Sequence, residues 1–158
     1  IRAKKMMGQG EFKDIDYKYT GMVQSIDPSV VSLLDETSFI PVIAPIGIGD
    51  DYETYNINAD IVAGKIAHIL QAGKYLILTD TSGILDEKGN LIQSINAKNV
   101  KGLIQNDIIT GGMLPKVESA LEAVSSGVEN VQIINGTVDH AILLELFTDE
   151  GIGTMIRR

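Results

Sequence analysis

Three short stretches of this sequence carry polar side chains at spacings that suit chemistry. In the first, Asn56-Ile57-Asn58-Ala59-Asp60, two amides alternate and an acid follows where a helix would open. Helix geometry alone would explain Asn58 as an N-cap and Asp60 in the first turn. It would not explain Asn56, whose alternation with Asn58 suggests a common target. The second stretch, Thr79-Asp80-Thr81-Ser82-Gly83-Ile84-Leu85-Asp86, follows directly on an apolar run. Ligands of open α/β sheets bind beyond the carboxyl ends of strands, which singles out this position, although a plain polar turn would read the same way. The third is Thr110-Gly111-Gly112-Met113-Leu114-Pro115-Lys116. Paired glycines let a backbone pass close to a ligand, Pro115 marks a helix start, and N–H groups at such a start bind phosphate. A lysine there gains nothing from the helix dipole. Lys116 therefore reads either as a cation for a transferring phosphoryl group or as a solvated surface lysine.

Other signals are weaker. Neither GxxxxGK[ST] nor a helix-opening GxGxxG occurs. His68 and His140 have no partner at ligand spacing, and Asp50-Asp51-Tyr52-Glu53 lacks the spacing of a calcium loop, so no protein-held metal is expected. The 158 residues include no cysteine, which excludes disulfide scaffolds, thiol nucleophiles and thiolate metal sites. Thirteen Lys+Arg against 21 Asp+Glu give a net charge of −8, which argues against non-specific nucleic-acid binding. No apolar run approaches the roughly 18 residues of a membrane span, and a cytoplasmic location is expected. The sequence opens on Ile1 rather than Met, so its natural start is expected upstream.

The elements that must position these stretches follow from periodicity. Residues 1–7 and 17–25 read as strands joined by a long polar loop containing Gly8, Gln9, Gly10 and Glu11. Asp27-Pro28 opens a helix over 28–36. Residues 39–45 (FIPVIAP) read as a buried strand, and 46–55 as a loop or hairpin. Ile61, Val62, Ile66 and Ile69 recur at helical spacing before Gly73. The run 75–79 (YLILT) is expected to be buried on both faces of a parallel sheet. A short strand over 91–95, a helix from Asn96, a helix over 115–126, a strand over 131–134, a helix over 139–147 and a strand over 153–156 complete the reading. Strands alternating with helices predict an α/β sandwich.

Taken together and in order, IPVIAPIG (40–47), YNINAD (55–60), LTDTSGILD (78–86), IITGGMLPK (108–116) and FTDEGIGTMI (147–156) resemble the amino-acid kinase superfamily, and within it the acetylglutamate kinases of arginine biosynthesis. The resemblance implies a three-layer α/β sandwich with a mainly parallel sheet, truncated on its N-terminal side. Residues 1–73 would be a remnant of the amino-acid-substrate lobe and 74–158 the nucleotide-binding lobe. Family members begin with a strand and glycine turn bearing a first catalytic lysine, followed by a glycine-rich loop and an arginine that grip acetylglutamate. None of these is in the sequence, so the chain alone is expected to be inactive.

By resemblance, Asn56 binds the α-carboxylate of acetylglutamate, Asp60 orients the catalytic lysines and Lys116 stabilises the transition state. The nucleotide would lie on Asp80, Thr81, Ser82, Gly83, Ile84 and Leu85 together with Ile108, Ile109, Thr110, Gly111, Gly112 and Met113. The implied reaction transfers the γ-phosphoryl group of ATP, accompanied by Mg2+, to the γ-carboxylate of N-acetyl-L-glutamate. The ending resembles members inhibited by L-arginine, which would place His140, Glu150 and Gly151 at an inhibitor site and predicts a homo-oligomeric parent. The alternatives are an aspartate, glutamate or carbamate kinase, or a nucleotide- or arginine-binding module without catalysis.

Overall fold

The computed structural model describes residues 1–8, 10, 13–148 and 151–158. Gln9, Glu11 and Glu150 lie outside them. The chain forms two compact units, Ile1–Leu70 and Gln71–Arg158.

In the first unit β1 (Arg2–Met7) and β2 (Asp16–Ser25) pair antiparallel. Helix α1 (Ser29–Asp35) follows, with the Asp27 carboxylate accepting the Ser29 N–H at 3.0 Å. The hairpin β3 (Ile46–Ile48) and β4 (Thr54–Asn56) then closes a ring in the order β1-β2-β4-β3, through parallel pairings of Arg2 with Ile48 and Thr20 with Asn56. Helix α2 (Ala59–Ile69) starts at Asn58 and presents Val62 to a small core of Ala3, Tyr55 and Ile57.

The segment 39–45 does not form the expected strand. Val42 is 96% exposed and Ile40 90%. Closure of the ring uses both edges on which an added strand could pair, and Pro41 and Pro45 have no N–H to donate. An apolar run becomes a strand only where a sheet offers it a partner.

The buried Tyr55 donates its hydroxyl to Asp51 Oδ2 at 2.6 Å. That carboxylate pushes the Tyr55 phenol up to about 12. The same hydroxyl, then the Glu53 N–H, holds Asp51 below the usual carboxylate range. A raised phenol stabilises the fold fully below its ordinary pKa of about 10 and loses that contribution as pH rises through about 12. A lowered carboxylate contributes above roughly pH 3.9 and loses it as pH falls through the folded value. Alkaline absorbance titration should therefore show Tyr55 ionising late, and the Tyr55→Phe titration should lose one tyrosine from its late phase. Five tyrosines ionising together near pH 10 would contradict the pairing.

The second unit contains β5 (Lys74–Thr79), β6 (Ser94–Asn96), α3 (Ala97–Gln105), α4 (Met113–Ser125), β7 (Asn130–Asn135), α5 (Ala141–Phe147) and β8 (Gly153–Arg157). The sheet order is β5-β7-β8-β6. The β5/β7 and β6/β8 pairs are parallel and β7/β8 is antiparallel, so the sheet is mainly parallel. Helix α4 packs on β7 and β8, over the face carrying Tyr75, Ile77, Val131, Ile133, Thr154 and Ile156. Tyr75 and Ser119 of α4 share a hydrogen bond of 3.1 Å on that side. Gln132 and Met155, paired in register, lie on the opposite face, where they meet Glu145 and Leu146 of α5. The unit is thus layered helix, sheet, helix. Strand β5 is an edge strand and alternates in burial, with Leu78 43% exposed, instead of being covered on both faces. Among the described residues no helix is long and apolar enough to cross a membrane.

Candidate functional site

The two stretches singled out in the second half of the sequence converge. Thr81, Gly83, Ile84, Leu85 and Asp86, beyond the carboxyl end of β5, face Ile108, Ile109, Thr110 and Met113 across a cavity of about 200 Å³. Each wall is held from outside. Gly83 has φ +138, and a Cβ there would stand 2.6 Å from Thr154 Oγ1, so the turn needs glycine. The Ile84 N–H donates to that same Thr154 oxygen at 2.8 Å. Asp86 accepts from Lys88 N and Asn90 N, both at 2.8 Å, and from Asn90 Nδ2 at 3.1 Å. The Asn90 side chain first, then these N–H groups, hold its carboxyl below the usual range. Across the cavity the Ile108 and Ile109 N–H groups donate to Leu103 O at 3.0 and 3.3 Å. The buried Ile109 anchors that wall.

Asp80, Ser82, Gly111 and Gly112 do not line the cavity and are exposed. Gly112 caps α4 without a side chain, and a Cβ placed on it meets no atom within 4 Å. That side of its backbone is open to a ligand. Pro115 stands at the third residue of α4 instead of the first, still among the N–H groups a helix leaves unpaired. Lys116 is half-buried at the fourth residue of α4.

In the first unit, Asn58 is given to the helix. Its Oδ1 accepts the N–H groups of Asp60 at 2.9 Å and Ile61 at 3.3 Å. Asn56 ends β4 with its side chain exposed, and Asp60 is half-buried in the first turn of α2.

A second cavity of about 450 Å³ opens beside α5, lined by Lys74, Gln132, Glu145 and Gly151 among others. Glu145 is buried. It accepts the Ile152 N–H at 3.1 Å and lies 4.0 Å from the Lys74 ammonium. Gln132 is 4% exposed and its Oε1 has no hydrogen-bond partner among the described residues. Of the two described residues expected at an inhibitor site, Gly151 lines this cavity and His140 does not. His140 is exposed in the left-handed region at the start of α5, and Glu150 is outside the described residues. Sequence reasoning missed Glu145, Gln132 and Lys74. The available signal was polarity inside apolar runs: Gln132 in VQII and Glu145 in LLELF.

The cleft lies beyond a strand end, walled by a glycine turn and the turn leading into a helix, in an α/β architecture of the kind whose ligands bind at such positions. The amino acid kinase family model matches residues 3–135, and the chain belongs to that family. It is 51% identical over 163 residues to an acetylglutamate kinase of Azoarcus sp. (strain BH72), covering 99% of this chain and 54% of that one. It is 56% identical over 144 residues to the acetylglutamate kinase of Alkalilimnicola ehrlichii, covering 91% and 47%. The chain thus spans about half the length of the curated relatives it matches. Among solved structures it is similar to N-acetylglutamate synthase from Neisseria gonorrhoeae complexed with coenzyme A and L-arginine, with TM-score 0.89 and 29% identity over 99% of this chain and 36% of that one.

Proposed function

We propose that this chain is the nucleotide-binding portion of an acetylglutamate kinase, which phosphorylates the γ-carboxylate of N-acetyl-L-glutamate with ATP in cytoplasmic arginine biosynthesis. The convergence of residues 81–86 and 108–113 on one cavity carries the reading. At about 200 Å³ the cavity is below the roughly 300–1,000 Å³ of a complete ligand site and suits one part of a nucleotide. Ile84, Leu85, Ile108, Ile109 and Met113 offer apolar surface to a base. Thr81, Thr110 and Asp86 supply polar atoms for ribose. The phosphates then run toward Gly111, Gly112 and the N–H groups opening α4, with Lys116 as cation. Mg2+ enters with the substrate, carried on the ATP phosphates. Residues 1–73, with Asn56 and Asp60, serve the acetylglutamate side as a remnant of the substrate lobe.

The first catalytic lysine and the acetylglutamate-gripping loop have no counterpart among these residues, so the chain by itself is expected to form no acyl phosphate. Joined to the N-terminal half of the Azoarcus relative, it should form hydroxylamine-trappable acyl phosphate from acetylglutamate. Aspartate, glutamate and carbamate should be poor acceptors. Preference for one of those three would move the protein to another branch of the family.

Gly112→Val tests the phosphate path. A Cβ there meets no atom within 4 Å, so the stability cost should be that of a poorer helix cap, about 1 kcal/mol, while ADP affinity falls at least about tenfold. Equal affinities measured calorimetrically would remove Gly112 from the path.

The second cavity supports L-arginine as a regulatory ligand. The Glu145 carboxylate and Gln132 Oε1 suit a guanidinium, and Lys74 suits a carboxylate. Glu145 stands in the cavity wall as an acid for the guanidinium, beside whatever Glu150 contributes. The N-acetylglutamate synthase similar to this chain was crystallised with L-arginine. Glu145→Gln should weaken arginine binding, and titrations of the two forms that superimpose would exclude this acid.

A further inference from the structure

Strand β8 places a threonine hydroxyl on the sheet face that packs against α4. Thr154 is fully buried, pairs in register with Ile133, and shares its face with Ile77, Val131 and Ile156. Its Oγ1 accepts the Ile84 N–H at 2.8 Å, joining positions 70 residues apart in sequence. Ile84 is itself 1% exposed, and its carbonyl accepts from Ile92 N at 2.9 Å. The turn therefore hangs from two hydrogen bonds, one made within its own loop and one to the sheet. Gly83 makes the second possible, because any side chain there would displace the Thr154 hydroxyl. Thr154 is not part of the cavity lining, whereas Gly83 and Ile84 are.

We propose that Thr154 is a positioning residue for the nucleotide cleft: through the Ile84 amide it fixes the Gly83–Ile84 wall against which the nucleotide rests, without touching the nucleotide. The inference rests on the reading of this cleft as a nucleotide site. Its neighbours Gly153 and Met155 line the second cavity, so one strand helps to wall both. Valine matches threonine in shape but has no acceptor. In Thr154→Val the buried Ile84 N–H would face a methyl group, and the wall would have to move to satisfy it. Serine keeps the acceptor.

The test uses the full chain and ADP as probe. Calorimetric titrations of the unaltered chain, Thr154→Val and Thr154→Ser are run at a temperature where melting curves show each folded. Thr154→Val should weaken ADP binding about tenfold or more, and Thr154→Ser should stay within about threefold of the unaltered chain. A hydroxyl with only a structural role would lower the melting temperature of Thr154→Val and leave its ADP affinity unchanged, which would overturn the proposal. Should Thr154→Val fail to fold, amide exchange in the unaltered chain decides. An Ile84 N–H as protected as the Ile133 and Ile156 amides, and slowed further by ADP, supports the pin. Fast exchange at Ile84 beside slow exchange at those two refutes it. An unaltered chain that binds no ADP removes the nucleotide reading and this inference together, whereas equal binding by the unaltered chain and Thr154→Val removes this inference alone.

Discussion

Lys116→Ala, introduced into a full-length kinase carrying this sequence, is expected to lower kcat by about 10²-fold or more while the KM for ATP moves only a fewfold. The reason is electrostatic. The half-buried lysine sits in the opening turns of α4, where unpaired N–H groups already make the environment positive, so its charge gains nothing from the helix. In the proposed nucleotide path an anion arrives beside it. If that anion is a phosphoryl group whose charge spreads in transfer, the lysine acts more strongly on the transition state than on bound ATP. Steady-state kinetics separate the possibilities. Near-normal kcat with a raised KM for ATP would reassign Lys116 to ground-state binding.

Gly153→Ala should be the most destabilising of these substitutions, by about 3 kcal/mol or more. Gly153 pairs with Ile134 at the start of β8, and a Cβ there would collide with the carbonyl oxygen of Ile133 and stand 2.9 Å from Ile134 Cγ2. The first obstacle is backbone inside a ladder and cannot rotate away, so β7 and β8 must separate. That pairing underlies the Thr154 position on one face and the second cavity on the other. Urea unfolding monitored by circular dichroism measures the effect. A midpoint shift as small as that expected for Gly112→Val would show that the strands yield easily.

Elements set by local chemistry were legible in the sequence. The Asn58 and Asn96 caps, the β1/β2 and β3/β4 hairpins and the parallel strand β5 are dictated by residues within a few positions. Parts of both cavity walls were legible from a strand end and a helix start, although the glycine pair Gly111-Gly112 that drew attention to the second lies outside the lining. Tertiary decisions were not legible. The run 39–45 has the composition of a buried strand but finds no sheet edge. Leu78 carries the mark of a doubly covered strand yet is 43% exposed, because β5 is an edge. Glu145 lines the second cavity from within an apolar helix, where its periodicity gave no sign of a site, and Glu150 lies outside the described residues. Thr154 left no local trace, since its importance lies in a contact with Ile84, far away in the sequence.

The reading of residues 81–86 and 108–113 as a nucleotide cleft is tested most directly by titrating ADP into the chain calorimetrically. One site per chain is expected, with chemical-shift changes concentrated at Gly83, Ile84, Ile109, Thr110 and Met113. No heat of binding, or binding whose shifts avoid these residues, would contradict it.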